Sequence, residues 1–189
     1  MKKNKFLSKL MFATLVMAAS LGFTACGGDD DNSGDEPQAP GVWTTVYKVE
    51  LDLSDDVLKT ADVTAHIANP DGTVREEPVT KANHSWTMTG KTLPDKACVL
   101  LTFVPKTDID VTKVYDIRFA GSITAASFKD DKQQSYKTYP HRVSLSLPGD
   151  KLSAYYPGKS FALALGVNAK GEIVSASASD FDFGVNFVF

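Results

Sequence analysis

Three histidines, two cysteines and a set of tyrosines are the side chains in this chain from which chemistry could be built. His66, His84 and His141 could ligate a metal or carry a proton near neutral pH, but no two of them stand at a metal-ligand spacing. Cys98 lies in an apolar run with no cysteine nearby, which predicts a buried, inert thiol. Asp108-Ile109-Asp110 lacks the glycine and distal glutamate of a calcium loop. No serine sits in a G-x-S-x-G turn, and no glycine-rich loop leads from a strand into a helix. Glycoside hydrolysis would need two carboxylates facing a cleft, a placement that sequence alone does not give. These absences predict a non-enzymatic protein with no cofactor and no metal.

Recognition is the chemistry that the remaining side chains suit. Tyr136 and Tyr139 fall in Ser135-Tyr136-Lys137-Thr138-Tyr139-Pro140-His141-Arg142, and Tyr155 and Tyr156 precede Pro157-Gly158. Tyrosine on a rigid loop offers apolar area and a hydroxyl at low entropic cost. These four are the candidate binding residues, for a glycan, a small molecule or a protein, expected on loops at one end of the fold. The alternative is that they cover core edges where strands end. Trp86 shares a strand face with His84 and Met88, which predicts burial in the core rather than an exposed sugar platform.

The elements that must position these residues read as β-strands. In 47–53 every odd residue is apolar and every even one charged, the period-two signal of a half-buried strand. Val63, Ala65 and Ile67 repeat it, with Asp62, Thr64 and His66 opposite. Val143, Leu145 and Leu147 form another such face, and Phe161, Leu163, Leu165 and Val167 a fourth. Residues 181–189 place Phe181, Phe183, Val185, Phe187 and Phe189 on one side, which predicts a core-facing final strand. Residues 98–104 are apolar on both faces, as a central strand is.

Asn69-Pro70-Asp71-Gly72 and Ala169-Lys170-Gly171-Glu172 read as hairpin connections, and residues 130–134 as a polar break after a long segment. Pro148-Gly149-Asp150 and Pro157-Gly158 read as loops. The only helical candidate is one turn over 54–59, capped by Ser54, with Asp55 and Asp56 at its positive end. About nine strands at roughly 8–15-residue spacing predict an all-β fold, a two-sheet antiparallel sandwich of immunoglobulin-like kind. A lipocalin-like closed barrel is the alternative. Breaks in alternation at 120–128 and 173–179 are read as strands switching sheets, which favours the sandwich.

The N-terminal segment has a different character. Lys2, Lys3, Lys5 and Lys9 precede an uncharged apolar run over 10–25, the pattern of an export signal. That run is shorter than the roughly 18 to 20 residues that span a bilayer permanently. Phe23-Thr24-Ala25-Cys26 resembles a bacterial lipobox, with Phe23 where leucine is usual. The resemblance implies cleavage before Cys26 and lipid attachment to it, which would give stable membrane anchoring through several acyl chains. Ordinary secretion, leaving Cys26 a thiol, is the alternative. Residues 27–41 hold no aliphatic or aromatic side chain larger than alanine and read as a flexible acidic tether. Their acidic run is similar to the surface-export signal of Bacteroidetes lipoproteins, so outward display at the outer membrane is expected, with a periplasm-facing position as the alternative.

The net charge of −3 on 189 residues divides accordingly. Residues 1–25 carry +4, residues 26–42 carry −5, and 43–189, the expected sandwich domain, carry −2. A near-neutral domain excludes nucleic acid as a charge-selected partner and predicts weak electrostatic steering. Ser54-Asp55-Asp56-Val57-Leu58-Lys59 and Ala61-Asp62-Val63-Thr64, followed by Trp86 and Leu93-Pro94, resemble small surface lipoproteins of Bacteroidetes. That family carries no assigned activity. The expected function is therefore a lipid-anchored, non-enzymatic binding module, with a structural or assembly component of an envelope complex as the alternative.

Overall fold

The computed structural model describes residues 41–183. The expected signal peptide, Cys26, nearly all of the expected tether and most of the expected final strand lie outside the described residues. Alternation becomes strand pairing from Trp43 onward. β1 (Trp43–Leu53) buries Tyr47, Val49, Leu51 and Leu53 and leaves Lys48, Glu50 and Asp52 on the solvent side. It pairs antiparallel with β4 (Asn83–Gly90) and with β6 (Val114–Lys129), and β6 pairs with β7 (Lys132–Pro148). The result is a four-stranded sheet of order β4-β1-β6-β7.

The second sheet has five strands, β3-β2-β5-β8-β9. They are β2 (Ala61–Ala68), β3 (Val74–Pro78), β5 (Asp95–Pro105), β8 (Ser160–Val167) and β9 (Ile173–Ser175). No strand is shared between the sheets, so the fold is an open two-sheet sandwich and not a closed barrel. Its layering is immunoglobulin-like, while its strand order is its own.

The inner faces meet in one core. Val49, Leu51, Val63, Ile67, Val99, Leu101, Ile117, Ile123, Leu163 and Leu165 are all buried in it. Each aliphatic side chain taken out of water contributes about 1.5–3 kcal/mol before ordering entropy is subtracted. Phe119 lies 4.7 Å from Phe103 and 6.0 Å from Phe161, ring centre to ring centre, and so joins the two sheets. Polar contacts close the sides. The Trp86 indole N–H donates to the Glu77 carboxylate at 2.9 Å, tying edge strand β4 to edge strand β3. Ser127 and Ser135 both donate to the Gly171 carbonyl, at 2.5 and 2.6 Å, tying the β6–β7 hairpin to the β8–β9 turn.

Several expectations are corrected. Residues 120–128 do not switch sheets; β6 runs unbroken through them. Alternation fades there because Thr124 and Ala126 are covered on the outer face while Ile123 and Ala125 fill the core. The helix after β1 is α1 (Asp55–Thr60), with Ser54 at its N-cap, but the Ser54 hydroxyl caps nothing. It donates to the Asp116 carbonyl at 2.6 Å and accepts from the Arg118 N–H at 3.1 Å, pinning α1 to β6. A second helix, α2 (Gly149–Tyr155), replaces the loop expected at Pro148-Gly149-Asp150. Gly149 donates to the Lys113 carbonyl at 2.8 Å, and Leu152 drops into the core.

The hairpin connections form where expected, with Gly72 and Gly171 in the left-handed conformation. Between β6 and β7, Asp130 and Asp131 both adopt positive φ, the conformation a two-residue hairpin needs. Aspartate tolerates it better than most residues.

Candidate functional site

The structure does not bring the four tyrosines together, and only Tyr156 lies in a connection, just after a helix. Tyr136 and Tyr139 belong to β7, three residues apart and therefore on opposite faces of the strand. Tyr136 is 53% exposed and Tyr139 50%. Tyr155 and Tyr156 belong to the end of the chain that follows β7, at and just after α2. Tyr156 is 0% exposed; its hydroxyl meets the Thr60 hydroxyl at 2.7 Å, and burial pushes its phenol pKa up. Tyr155 is half-buried against the core, with its pKa also raised by burial. Tyr156 is thus a core residue, its ring 5.6 Å from that of Tyr155, and the expected aromatic patch at one end is corrected to this packed pair and, apart from it, Tyr136 and Tyr139 on β7.

The histidines are equally dispersed. His66, expected on a solvent face, is 6% exposed because residues 178–183 lie across that side of the five-stranded sheet. Its ring centre is 6.3 Å from that of Phe183, its Nε2 is 3.0 Å from the Thr102 hydroxyl, and its Nδ1 is 2.9 Å from the Glu76 carboxylate. His84 stacks on Trp86 at 5.3 Å, and Trp86 is buried in the core. His141 packs against Phe161 at 4.8 Å. Among the described residues, no three His, Cys, Asp or Glu side chains converge as metal ligands. Cys98 is fully buried, and desolvation pushes its thiol up to about 12, as an inert core cysteine requires.

The most unusual buried charge is Asp95. It is 9% exposed at the start of β5 and accepts hydrogen bonds from Thr45 and, at 2.6 Å, from Tyr47, both on β1 of the other sheet. Burial raises its pKa, and the two hydroxyl donors only partly oppose that. The Tyr47 phenol is pushed far above its ordinary value by its own burial and by Asp95. This group is enclosed between the sheets and pins them together; it presents nothing to a ligand.

A surface that could hold a ligand lies elsewhere, on the outer face of the four-stranded sheet. A trough of about 520 Å³ runs over β4, β1 and β6, lined by residues 83–85, 50–52 and 120–122. Strand alternation sends Glu50, Asp52, Asn83, Ser85, Ala120 and Ser122 outward, while Leu51, His84 and Gly121 supply backbone to the floor. Cross-strand register fixes the order: Ser85, Glu50 and Ser122 form one row, and Asn83, Asp52 and Ala120 the next. The floor is low because Ala120 and Ser122 are small.

Glu50 is ion-paired with Lys48, and Asp52 with Arg118 at 3.3 Å. The two carboxylates stand side by side on one strand, not across the trough from each other. The trough therefore offers carboxylate, amide and hydroxyl groups on an open, shallow floor, which suits hydrogen bonding to a polar ligand.

None of these residues was singled out as a site in the sequence. Glu50 and Asp52 were visible only as the polar phase of an amphipathic strand. The small residues of 120–122 were visible as a lapse in alternation, and that lapse is the floor. The comparison with protein-family models and with curated proteins finds no match for this chain.

Proposed function

We propose that this chain is a lipid-anchored cell-envelope protein, displayed outward at the outer membrane, that binds a polar ligand without chemical turnover. The anchoring half of this reading rests on the basic and apolar N-terminus, the lipobox-like Phe23-Thr24-Ala25-Cys26 and the acidic run that follows. Kinship with the small surface lipoproteins of Bacteroidetes belongs to the same reading. The binding half rests on one observation, the polar trough over β4, β1 and β6. Glu50 and Asp52 stand near the far end of β1 from Trp43, about 25 Å along the strand, so the trough is well separated from where the tether enters.

Two experiments test it. Cells fed labelled palmitate should yield a labelled chain, and Cys26→Ala should abolish the label; a variant that still labels overturns the anchor. Amide shift mapping with a panel of monosaccharides, amino acids and polyamines should give saturable shifts centred on Glu50, Asp52 and Ser122. Shifts confined to other surfaces, or none, overturn the trough as the site.

The alternative, a structural or assembly component of an envelope complex, draws on a different feature. β7 is a 17-residue edge strand paired, among the described residues, only with β6. An edge strand of that length can accept a strand from another chain. A stoichiometric partner recovered from detergent-solubilised membranes would support that role, and a monomer in every detergent would count against it.

A further inference from the structure

We infer that the outer edge of β4 pairs with the same edge of a second copy, giving an antiparallel dimer in which the two four-stranded sheets join into one. Edge strands of a chain that stays alone carry charge, proline or a bulge, or are very short. Among the described residues, three of the four sheet edges fit that rule. β3 is Val74-Arg75-Glu76-Glu77-Pro78, three charges and a proline in five residues. β9 has three residues. β7 holds Pro140, a register shift near its hairpin end, and Lys132, Lys137 and Arg142 with no carboxylate. β4 is the exception. Asn83-His84-Ser85-Trp86-Thr87-Met88-Thr89-Gly90 has no Lys, Arg, Asp, Glu or Pro, and its register with β1 is unbroken.

The main chain of β4 is set for this pairing. The Leu53 N–H donates to the Ala82 carbonyl at 2.8 Å, which fixes the phase of the β1–β4 ladder. His84, Trp86 and Met88 therefore turn their N–H and C=O groups to β1, and Asn83, Ser85, Thr87 and Thr89 turn theirs to the outer edge. Among the described residues no strand pairs with that edge. The side chains of those four residues lie on the outer face and are exposed. An antiparallel second copy centred on Trp86 sets Asn83 opposite Thr89 and Ser85 opposite Thr87, so every outward main-chain group of the strand finds a partner. A register displaced from that centre leaves some of them outside the ladder. Across the junction amide meets hydroxyl and hydroxyl meets hydroxyl, with no charge set against its like inside the ladder.

A strand edge that matches itself produces a closed twofold pair. Self-pairing of β7 would instead bring its cations together with no carboxylate to offset them. The β4 flank is about 27 Å long, and two sheets about 10 Å apart with their side chains make it roughly 20 Å deep. Pairing then buries on the order of 1,000 Å² in all, the lower end for a specific interface, which predicts micromolar rather than nanomolar strength. Just beyond the ladder, exposed Lys81 of one copy faces exposed Lys91 of the other, so salt should tighten the dimer. The pairing also sets Thr89 and Thr87 of the second copy beside Asn83 and Ser85 and so continues the trough across the junction. That continuation, unlike the dimer itself, rests on the reading of the trough as the ligand site.

The test is sedimentation of the full chain in detergent, from about 1 to about 500 μM. A dimer with a dissociation constant on the order of 10 μM is expected, tightening about threefold or more from low to high salt. Ser85→Lys with Thr87→Lys sets like charges against each other in the centred register and should weaken the dimer about tenfold or more. Ser85→Asp with Thr87→Lys sets opposite charges there and should restore it. Unchanged thermal unfolding of both double variants shows that the fold is kept. In the wild type, hydrogen exchange at the Ser85, Thr87 and Thr89 amides should slow as concentration rises. A monomer throughout the range overturns the inference. So does a dimer indifferent to Ser85→Lys with Thr87→Lys, the result that two chains sharing a micelle would give, and so does one that salt weakens. Equal loss in both double variants overturns the register centred on Trp86.

Discussion

The two outer faces of this sandwich begin from the same sequence pattern and end differently. On the four-stranded sheet the polar phase of β1, Lys48, Glu50 and Asp52, stays at the surface and, with the small residues of β6, makes the trough. On the five-stranded sheet the corresponding phase includes His66, Ala68, Cys98 and Leu100, all buried under Ala178 and Phe183. A sheet face is therefore not polar or apolar by position alone. What lies over it decides, and here residues 178–183 serve as a third layer over the five-stranded sheet. The covered face adds to the core.

This contrast can be broken from the covered side first. Phe183→Ala removes the largest buried side chain of the cover and is expected to cost about 3 kcal/mol in urea unfolding. It should also speed modification of Cys98 by a thiol reagent. An unchanged rate would mean that Phe183 does not shield that face.

Asp95 gives the next effect. Its folded pKa is raised, so the stability it contributes is present at low pH and is lost as pH rises from the ordinary carboxylate range through the folded value. Asp56 and Asp110 have lowered pKa values and contribute the opposite trend, stability lost as pH falls. The wild type minus Asp95→Asn difference isolates the first trend, and the variant should gain relative stability as pH rises. A difference independent of pH would refute it.

Tyr156→Phe is expected to cost about 1 kcal/mol, one buried hydrogen bond to Thr60, measured by thermal unfolding. A change in ligand affinity without a change in stability would instead place Tyr156 at a binding surface. Smallest of all, Ser122→Leu on the open face should shift stability by no more than about 0.5 kcal/mol while blocking the trough. A large loss would show that this face, too, is packed.

The strands and their inward residues were legible because burial on one side leaves a two-residue period, as 47–53 and 161–167 show. The central position of 98–104 was legible for the same reason, since β5 is covered on both faces. What was not legible depended on contacts distant in sequence. His66 reads as polar until Phe183 is folded over it. Tyr156 reads as a surface aromatic until Thr60 is placed beside it. α2 was hidden because Pro148-Gly149 marks a break, and a helix of seven residues shows little periodicity. The trough was missed because alanine and serine carry no chemistry of their own; their value here is the room they leave.

The placement of β1 has a consequence for how the chain becomes folded. β1 lies between β4 and β6, so Trp43 must find Lys129 and Leu53 must find Phe119. The β6–β7 hairpin closes locally through Asp130 and Asp131, but its sheet is incomplete without a strand made far earlier in synthesis. Pairings this distant are slow to form. β1 can pair early with β4, but its other edge stays open until β6, much later in the chain, has followed it.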